Sequence, residues 1–247
     1  MSDRVADTWE RGDPYEQYVG RWSRQVAPRF LSWLAQPAGC RWLDVGCGTG
    51  ALSAAILEHC APARHNLAGR AALHRGAADA LPLADASVDV VVSALVLNFV
   101  PDPRAALKEM RRVARSGGRI AAYVWDYAGK MELMRHFWDV AVELDASAAR
   151  LDEGKRFPLC HPDALVQAFT GAGLGEAEVT SIDIPTRFAS FEDYWQPFLG
   201  GQGPAPAYAM SLEESQRARL RDRLRQRLPV NSDGSIALVA RAWAVKA

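Results

Sequence analysis

The stretch Trp42-Leu43-Asp44-Val45-Gly46-Cys47-Gly48-Thr49-Gly50, continued by Ala51-Leu52-Ser53-Ala54-Ala55-Ile56-Leu57, decides the fold. An apolar strand ends in an acid, crosses three alternating glycines and enters a helix. Glycine lacks Cβ, so backbone N–H groups can approach a ligand closely and the chain can turn with positive φ. The helix that follows aims its N-terminal N–H groups and dipole at the same spot. The spacing is G-x-G-x-G, not the dinucleotide fingerprint G-x-G-x-x-G, and no Lys-Ser/Thr follows as in a P-loop. The Asp44 carboxylate would repel a pyrophosphate. It suits a ligand with an ammonium or sulfonium beside a nucleoside.

Around this stretch, strand one is expected at 40–45 and its helix at 51–60. Residues 88–97 form a continuous apolar run, typical of a strand buried on both faces of a parallel sheet. Asp102-Pro103 supplies an N-cap and a first-turn proline. Leu107, Met110 and Ala114 line one face of that helix, Gly117-Gly118 ends it, and Arg119–Trp125 is the next strand. Further strands are expected at 177–184 and 236–245, and an amphipathic helix at 22–35. Alternating strands and helices predict an α/β, doubly wound Rossmann-like sheet. Helical insertions at 129–150 and 192–229 leave the carboxyl side of the sheet, where ligands bind in such folds. The second contains the loop Gly200–Pro206 and an arginine-rich helix with Leu212, Leu220, Leu224 and Leu228. Its six arginines spread around the helix, which reads as a solvated face; an anionic-partner surface is the alternative.

A chain of 247 residues, 49% apolar, fits one large domain with a core. Zero formal net charge favours neither nucleic acid nor a membrane surface. Cys40, Cys47, Cys60 and Cys160 form no C-x-x-C pair, so neither a disulfide framework nor a metal site is expected. The N-terminal residues carry no apolar signal region, and no apolar run is long enough to span a bilayer, so a cytoplasmic protein is expected.

The glycine stretch resembles the first motif of class I S-adenosylmethionine-dependent methyltransferases, and the rest of the chain resembles their small-molecule branch, methyltransferase type 11. The resemblance implies a single methyltransferase domain over 1–247, with an N-terminal lid at 1–35 and caps at 129–150 and 192–229. It implies S-adenosylmethionine as cofactor and a small-molecule methyl acceptor, in a monomer or homodimer. The last two strands would include one antiparallel to the rest. Asp44, Gly46, Cys47, Gly48 and Gly50 would hold the methionine side. Asp79 would accept from the adenine amino group, with the backbone of Ala80 and Leu81 alongside; a turn role before Pro82 is the alternative. Ala94, with Ser93 and Leu95, would pass under the methionine portion. Asn98 would position the acceptor, or simply make a turn. Tyr18 and Arg21, with Tyr15 and Trp22, look like the lid, where rings cover a sulfonium and an arginine holds a carboxylate. Trp125, Asp126 and Tyr127 would line the acceptor pocket, as would Phe157 and the Tyr194-Trp195 pair. His136 reads as structural, and no general base is named, because alignment alone supplies much of a methyl transfer.

One part of the family pattern is missing. Between Cys60 and Asp79 only 18 residues intervene, where a βαβ unit takes about 30. The window holds no acid and no β-branched or aromatic residue, so strand propensity is poor. Folds of this type carry an acid about 20 residues past the glycines for the ribose hydroxyls. Glu58 is the only acid between Gly50 and Asp79, and helical spacing turns it to solvent. A shortened second βα unit and weak cofactor binding are therefore expected. The rival readings are a catalytically weak or inactive relative acting by binding, and a nicotinamide-dependent oxidoreductase, which Asp44 and the glycine spacing disfavour.

Overall fold

The computed structural model describes residues 16–60, 71–201 and 203–247, with side chains from residue 18 onward. Residues 1–15 of the expected lid, Tyr15 among them, and residues 61–70 lie outside the described residues.

Helix α1 (Arg21–Leu34) follows a short π-turn at Glu16–Gly20. Strand β1 (Trp42–Asp44) leads into α2 (Ala51–His59), and β2 (Val88–Ala94) comes next. Helix α3 (Pro103–Val113) runs directly into β3 (Ala114–Trp125). Asp102 caps α3 as its sequence promised, accepting from the Ala105 N–H at 2.9 Å. Then come α4 (Glu132–Leu144), α5 (Glu153–Arg156), α6 (Pro162–Gly171) and β4 (Glu178–Phe188). Helices α7 (Phe191–Trp195), α8 (Pro204–Ser211) and α9 (Glu214–Arg227) precede β5 (Ile236–Lys246).

The strands form one sheet in the order β1-β2-β3-β5-β4. β1 pairs parallel with β2, Trp42 opposite Val90. β2 pairs parallel with β3, and β3 pairs antiparallel with β5, Tyr123 opposite Ala244. Val90, Val91 and Val92 are fully buried, as expected of a strand covered on both faces. Along β4 and β5, Lys246 meets Glu178 and Arg241 meets Asp183, so these strands run in opposite directions.

Three local expectations need correction. The long apolar strand stops at Ala94, because Leu95 takes φ +59, a left-handed conformation that breaks the pleat. Gly117-Gly118 does not end α3, which stops at Val113. The β2–β3 register jumps from Val88–Ala114 to Val90–Arg119, so the glycines sit in a bulge. A Cβ on Gly118 would lie 2.9 Å from the Arg115 and Asp89 carbonyl oxygens. Ala114 thus opens a strand, and Val113 takes its place in the buried helix face. Lastly, the expected loop at 200–206 is half helix, since α8 starts at Pro204 with proline in its first turn.

Among the described residues, no strand lies beyond β1. Residues 71–78 form no strand, apart from a bridge between Ala77 and Ala80 across a tight turn. Residues 61–70 of the expected shortened second βα unit lie outside the described residues, so only its 71–78 part is described, and that part adds no strand to the sheet.

The chain divides into two compact units. One comprises residues 23–125, 159–182 and 242–247 and holds most of the sheet. Its core combines Val90–Val92, Leu107, Met110 and Ala121–Val124. The other comprises 1–22, 126–158 and 183–241, and so collects both helical insertions. Its core is aromatic: Phe137 stacks on Phe198 at 4.5 Å, and Tyr18 meets Phe198 edge-on at 5.4 Å. The arginines of α9 pair within that unit, Arg223 with Glu143 at 2.7 Å and Arg225 with Glu192 at 2.6 Å. Leu220 and Leu224 point inward, and the solvated-face reading of α9 fits this arrangement. No helix among the described residues is long and apolar enough to cross a membrane.

Candidate functional site

The glycine loop is built as its spacing predicts. Gly46, Gly48 and Gly50 all take positive φ, at +78, +51 and +83. At Gly46 the requirement is double, because a Cβ would lie 2.6 Å from Val96 Cγ1. Gly50 is the N-cap of α2 and offers no side chain to its first turn. Of the N–H groups of that turn, the one on Ser53 is taken by the Asp44 carboxylate at the end of β1.

Asp44 ends β1. Its Oδ2 accepts from Ser53 Oγ at 2.7 Å, while Oδ1 is buried without a partner. Burial pushes the carboxyl up to about 6, against the pull of the Ser53 hydroxyl and backbone N–H. It is therefore mostly ionised at neutral pH, with one oxygen unmatched. A buried acceptor in that state costs free energy until a donor reaches it. Burial and the Asp44 charge push the Cys47 thiol up, so it is no thiolate nucleophile.

Ala94 is half-buried at the end of β2, opposite Tyr123. Asn98 lies on a 3₁₀ turn, Leu97–Phe99, and both polar atoms of its amide are buried without partners. It therefore offers a donor and an acceptor that nothing in the described chain uses.

Asp79 is exposed at the tip of the Ala77–Ala80 turn, whose closing bond runs from the Ala80 N–H to the Ala77 carbonyl at 3.1 Å. Ala80 is exposed beside it. The Leu81 N–H is already given to Glu109 Oε2 at 2.9 Å, so its amide is committed. Arg112 holds this segment. It donates to the Leu81 and Leu83 carbonyls, both at 2.9 Å, and to Asp85 Oδ1 at 2.6 Å. Glu58 is exposed, as its helical spacing implies, and no other acid follows Gly50 before Asp79.

The remaining residues lie elsewhere. Trp125 is only 2% exposed and packs in the core. Asp126 accepts the Gly129 and Lys130 N–H groups at 3.0 and 2.9 Å, which makes it a turn residue. Tyr194 and Trp195 are buried, and Tyr194 donates to the Leu133 carbonyl at 2.9 Å. In the other unit, Arg21 pairs with Asp193 at 2.9 Å and lies over the Trp22 and Phe188 rings. Its Nε and Nη2 are buried without partners. Tyr18 is fully buried, its hydroxyl likewise without a partner. The sequence reading missed Ser53, Arg112 and Glu153. Ser53, in the first turn after the glycines, carried a signal; the other two read as ordinary surface charges. Among the described residues no group of His, Cys, Asp and Glu could hold a metal ion.

Residues 43–122 match the family model described as a methyltransferase domain. An uncharacterized methyltransferase of Mycobacterium tuberculosis is 38% identical over 130 residues, 48% of this chain and 49% of that protein. A malonyl-(acyl-carrier protein) O-methyltransferase of Serratia marcescens is 34% identical over 47% of this chain and 50% of its own length. The chain thus spans about half the length of the curated relatives it matches. Among solved structures, a cyclopropane-fatty-acyl-phospholipid synthase-like protein from Lactobacillus casei aligns with a TM-score of 0.55 and 19% identity, over 92% of this chain and 91% of that one. At that identity the likeness is one of fold. The matched segment contains the glycine loop and strand β2, so this part of the chain is similar to a methyltransferase domain.

Proposed function

We propose that the protein is an S-adenosylmethionine-dependent methyltransferase that acts on a small organic acceptor. The observation that carries this reading is the buried, unpartnered Oδ1 of an ionised Asp44 at the end of β1. An ammonium group is the ligand feature that would satisfy it. S-adenosylmethionine carries such an ammonium together with a transferable methyl on a sulfonium. Asp44 would bind the ammonium, with Gly46, Cys47, Gly48 and Gly50 supplying backbone around it. The remaining N–H groups at the α2 N-terminus would meet the carboxylate. Asp79 and Ala80 would border the adenine, and Ala94 the methionine chain. Asn98, with both amide atoms unmatched, would orient the acceptor. Calorimetric titration with S-adenosylmethionine tests the reading, and heat of binding that vanishes in Asp44→Asn is expected. No binding at millimolar cofactor would sink it.

The second reading is a methyltransferase-fold protein that binds its cofactor weakly or acts by binding alone. Residues 71–78 supply no carboxylate for the ribose hydroxyls, and Glu58 is exposed. One missing charge-assisted contact weakens binding by roughly 10–150-fold. A low-micromolar Kd in the same titration would refute this second reading. A thermal shift with a nicotinamide cofactor, and none with S-adenosylmethionine, would favour an oxidoreductase instead.

A further inference from the structure

At the end of the sheet opposite Asp44, one cavity gathers cations that the proposed transfer does not use. Strands β1, β2 and β3 run parallel, so Asp44 lies at their carboxyl ends and the bulge that opens β3 lies at their amino ends. There Arg111, Arg115, Ser116, Gly117, Gly118 and Ala247 line a cavity of about 240 Å³. All of them belong to the sheet-bearing unit. Residues 115–118 have no ladder partner on either side. Pairing with β2 jumps from Ala114 to Arg119, and pairing with β5 begins at Ala121. Gly117 turns the chain there with φ +71.

Two guanidinium groups are held in place around this cavity. Arg111 stands in the last turn of α3, where the helix dipole favours a cation. Its Nη1 is packed so closely on Gly173 that a Cβ there would meet it at 2.6 Å, and Gly173 also lines the cavity. Arg115 is anchored at one edge, its Nε paired with Asp89 at 2.8 Å. Asp89 also accepts the Arg41 N–H at 2.6 Å, so its acceptor capacity goes to orienting its neighbours. A guanidinium has five N–H donors, and one contact leaves most of those on Arg115 available. Among the described residues, no ion pair or hydrogen bond engages the Arg111 side chain or the Ser116 hydroxyl. The nearby acceptors are matched. The Ala247 backbone exchanges bonds with Ile120 at 3.0 and 2.9 Å. At the end of α6, the Thr170 and Phe169 carbonyls accept from the Gly173 and Leu174 N–H groups at 2.9 and 3.2 Å. Donors are therefore in excess.

We propose that this cavity binds the phosphate group of a small phosphomonoester. Planar guanidinium forks match the oxygens of a phosphate two at a time, and the Ser116 hydroxyl adds a third kind of donor. Two positioned cations stand against the single carboxylate that pairs with them, Asp89, which favours an anion. A water's share of liquid volume is about 30 Å³, so the cavity has room for about eight. A phosphate fills only part of that, and Leu174 in the wall offers apolar contact to the first carbons of an ester. S-adenosylmethionine carries no phosphate, so this site is separate from the glycine loop and does not rest on the methyltransferase reading.

The test uses glycerol 3-phosphate as probe, with inorganic phosphate and glycerol as its two halves. Binding to the full chain is followed by calorimetry at pH 7 and constant ionic strength, with circular dichroism confirming that each variant folds. Glycerol 3-phosphate should bind saturably and at least as tightly as inorganic phosphate, and glycerol should give no saturable heat. Arg111→Gln should weaken ester binding roughly 10–150-fold, the loss of one charge-assisted pair. Arg111→Lys keeps the charge without the fork and should weaken it less than Arg111→Gln does. Ser116→Ala should weaken it roughly 2–10-fold. In nuclear magnetic resonance spectra, the amide shifts caused by the ester should centre on residues 115–118. Shifts confined to the first turn of α2 would place the anion at that helix N-terminus instead and overturn the proposal. It is equally overturned by the absence of saturable ester binding, by unchanged affinity in Arg111→Gln, or by inorganic phosphate binding more tightly than the ester.

Discussion

Asp44 and Glu153 are both carboxyl groups with one oxygen bonded and the other buried without a partner, one in each compact unit. They nevertheless hold different charges near neutral pH, Asp44 pushed up to about 6 and Glu153 to about 8. Burial raises both; Glu153 is buried more deeply, and the Asp152 charge raises it further. Asp44 receives a hydroxyl and a backbone N–H from Ser53, at the first turn of a helix whose dipole favours an anion. Glu153 receives its own backbone N–H and an indole N–H, but it is almost wholly buried in an aromatic core and stands beside the Asp152 charge. A carboxylate awaiting a cation and a neutral carboxylic acid therefore arise from the same side-chain chemistry. The charge that each carries follows from how deeply the fold buries it and which charges stand beside it.

The largest effect should come from removing the acid at Glu153. Its folded value lies above the ordinary 4.5, so its contribution is fully present below pH 4.5 and is lost as pH rises toward 8. That loss is on the order of 4 kcal/mol. Urea unfolding from pH 5 to 9 should show the decline in wild type and a flatter profile in Glu153→Gln. Identical profiles would mean the two carboxyls are not distinct.

Asp44→Asn should separate stability from binding. Asp44 is also raised, so its ionisation penalises the folded state fully above pH 6 and not below 3.8. Removing it should stabilise the free protein by up to about 3 kcal/mol at pH 7. The same change should weaken S-adenosylmethionine binding about 100-fold. In wild type that binding should fall as pH drops through 6. A variant that gains stability and keeps affinity would break the comparison.

Gly46→Ala tests the loop alone. Positive φ and the Val96 contact should together cost about 2 kcal/mol and abolish cofactor binding. The alkaline decline caused by Glu153 should persist unchanged. The smallest change is Ser53→Ala, costing about 1 kcal/mol. With a donor gone, Asp44 should titrate closer to Glu153, and the midpoint of pH-dependent cofactor binding should move upward.

Much of this was legible in the sequence, for identifiable reasons. The loop was readable because alternating glycines after a strand have few conformational uses, and all three adopt positive φ. Val90–Val92 was readable because a strand buried on both faces needs an unbroken apolar run. The end of that strand was not, because a leucine with positive φ leaves no compositional trace. Gly117-Gly118 misled because a bulge and a helix C-terminus recruit glycine for the same backbone reason. Trp125 could not be decided from sequence, because an aromatic at a strand end serves core and pocket alike. Glu153 was invisible because an acid in a polar helix looks solvated until the tertiary packing is known.

Arg112 has a consequence of another kind. Residues 81–85 are tied to α3 by charged side chains, the Arg112 guanidinium reaching two carbonyls, Asp85 and Glu109, and Glu109 taking the Leu81 N–H, while backbone bonds to α3 begin only at Ala86 and Ser87. Backbone pairing such as that of β1 is indifferent to dissolved ions, but a charge-based tether weakens as counterions screen it. Rising ionic strength should therefore loosen this segment while the Asp44 end stays fixed. Hydrogen exchange at the Leu81 amide would become a salt gauge, and binding of the uncharged adenine end would depend on salt through the protein alone.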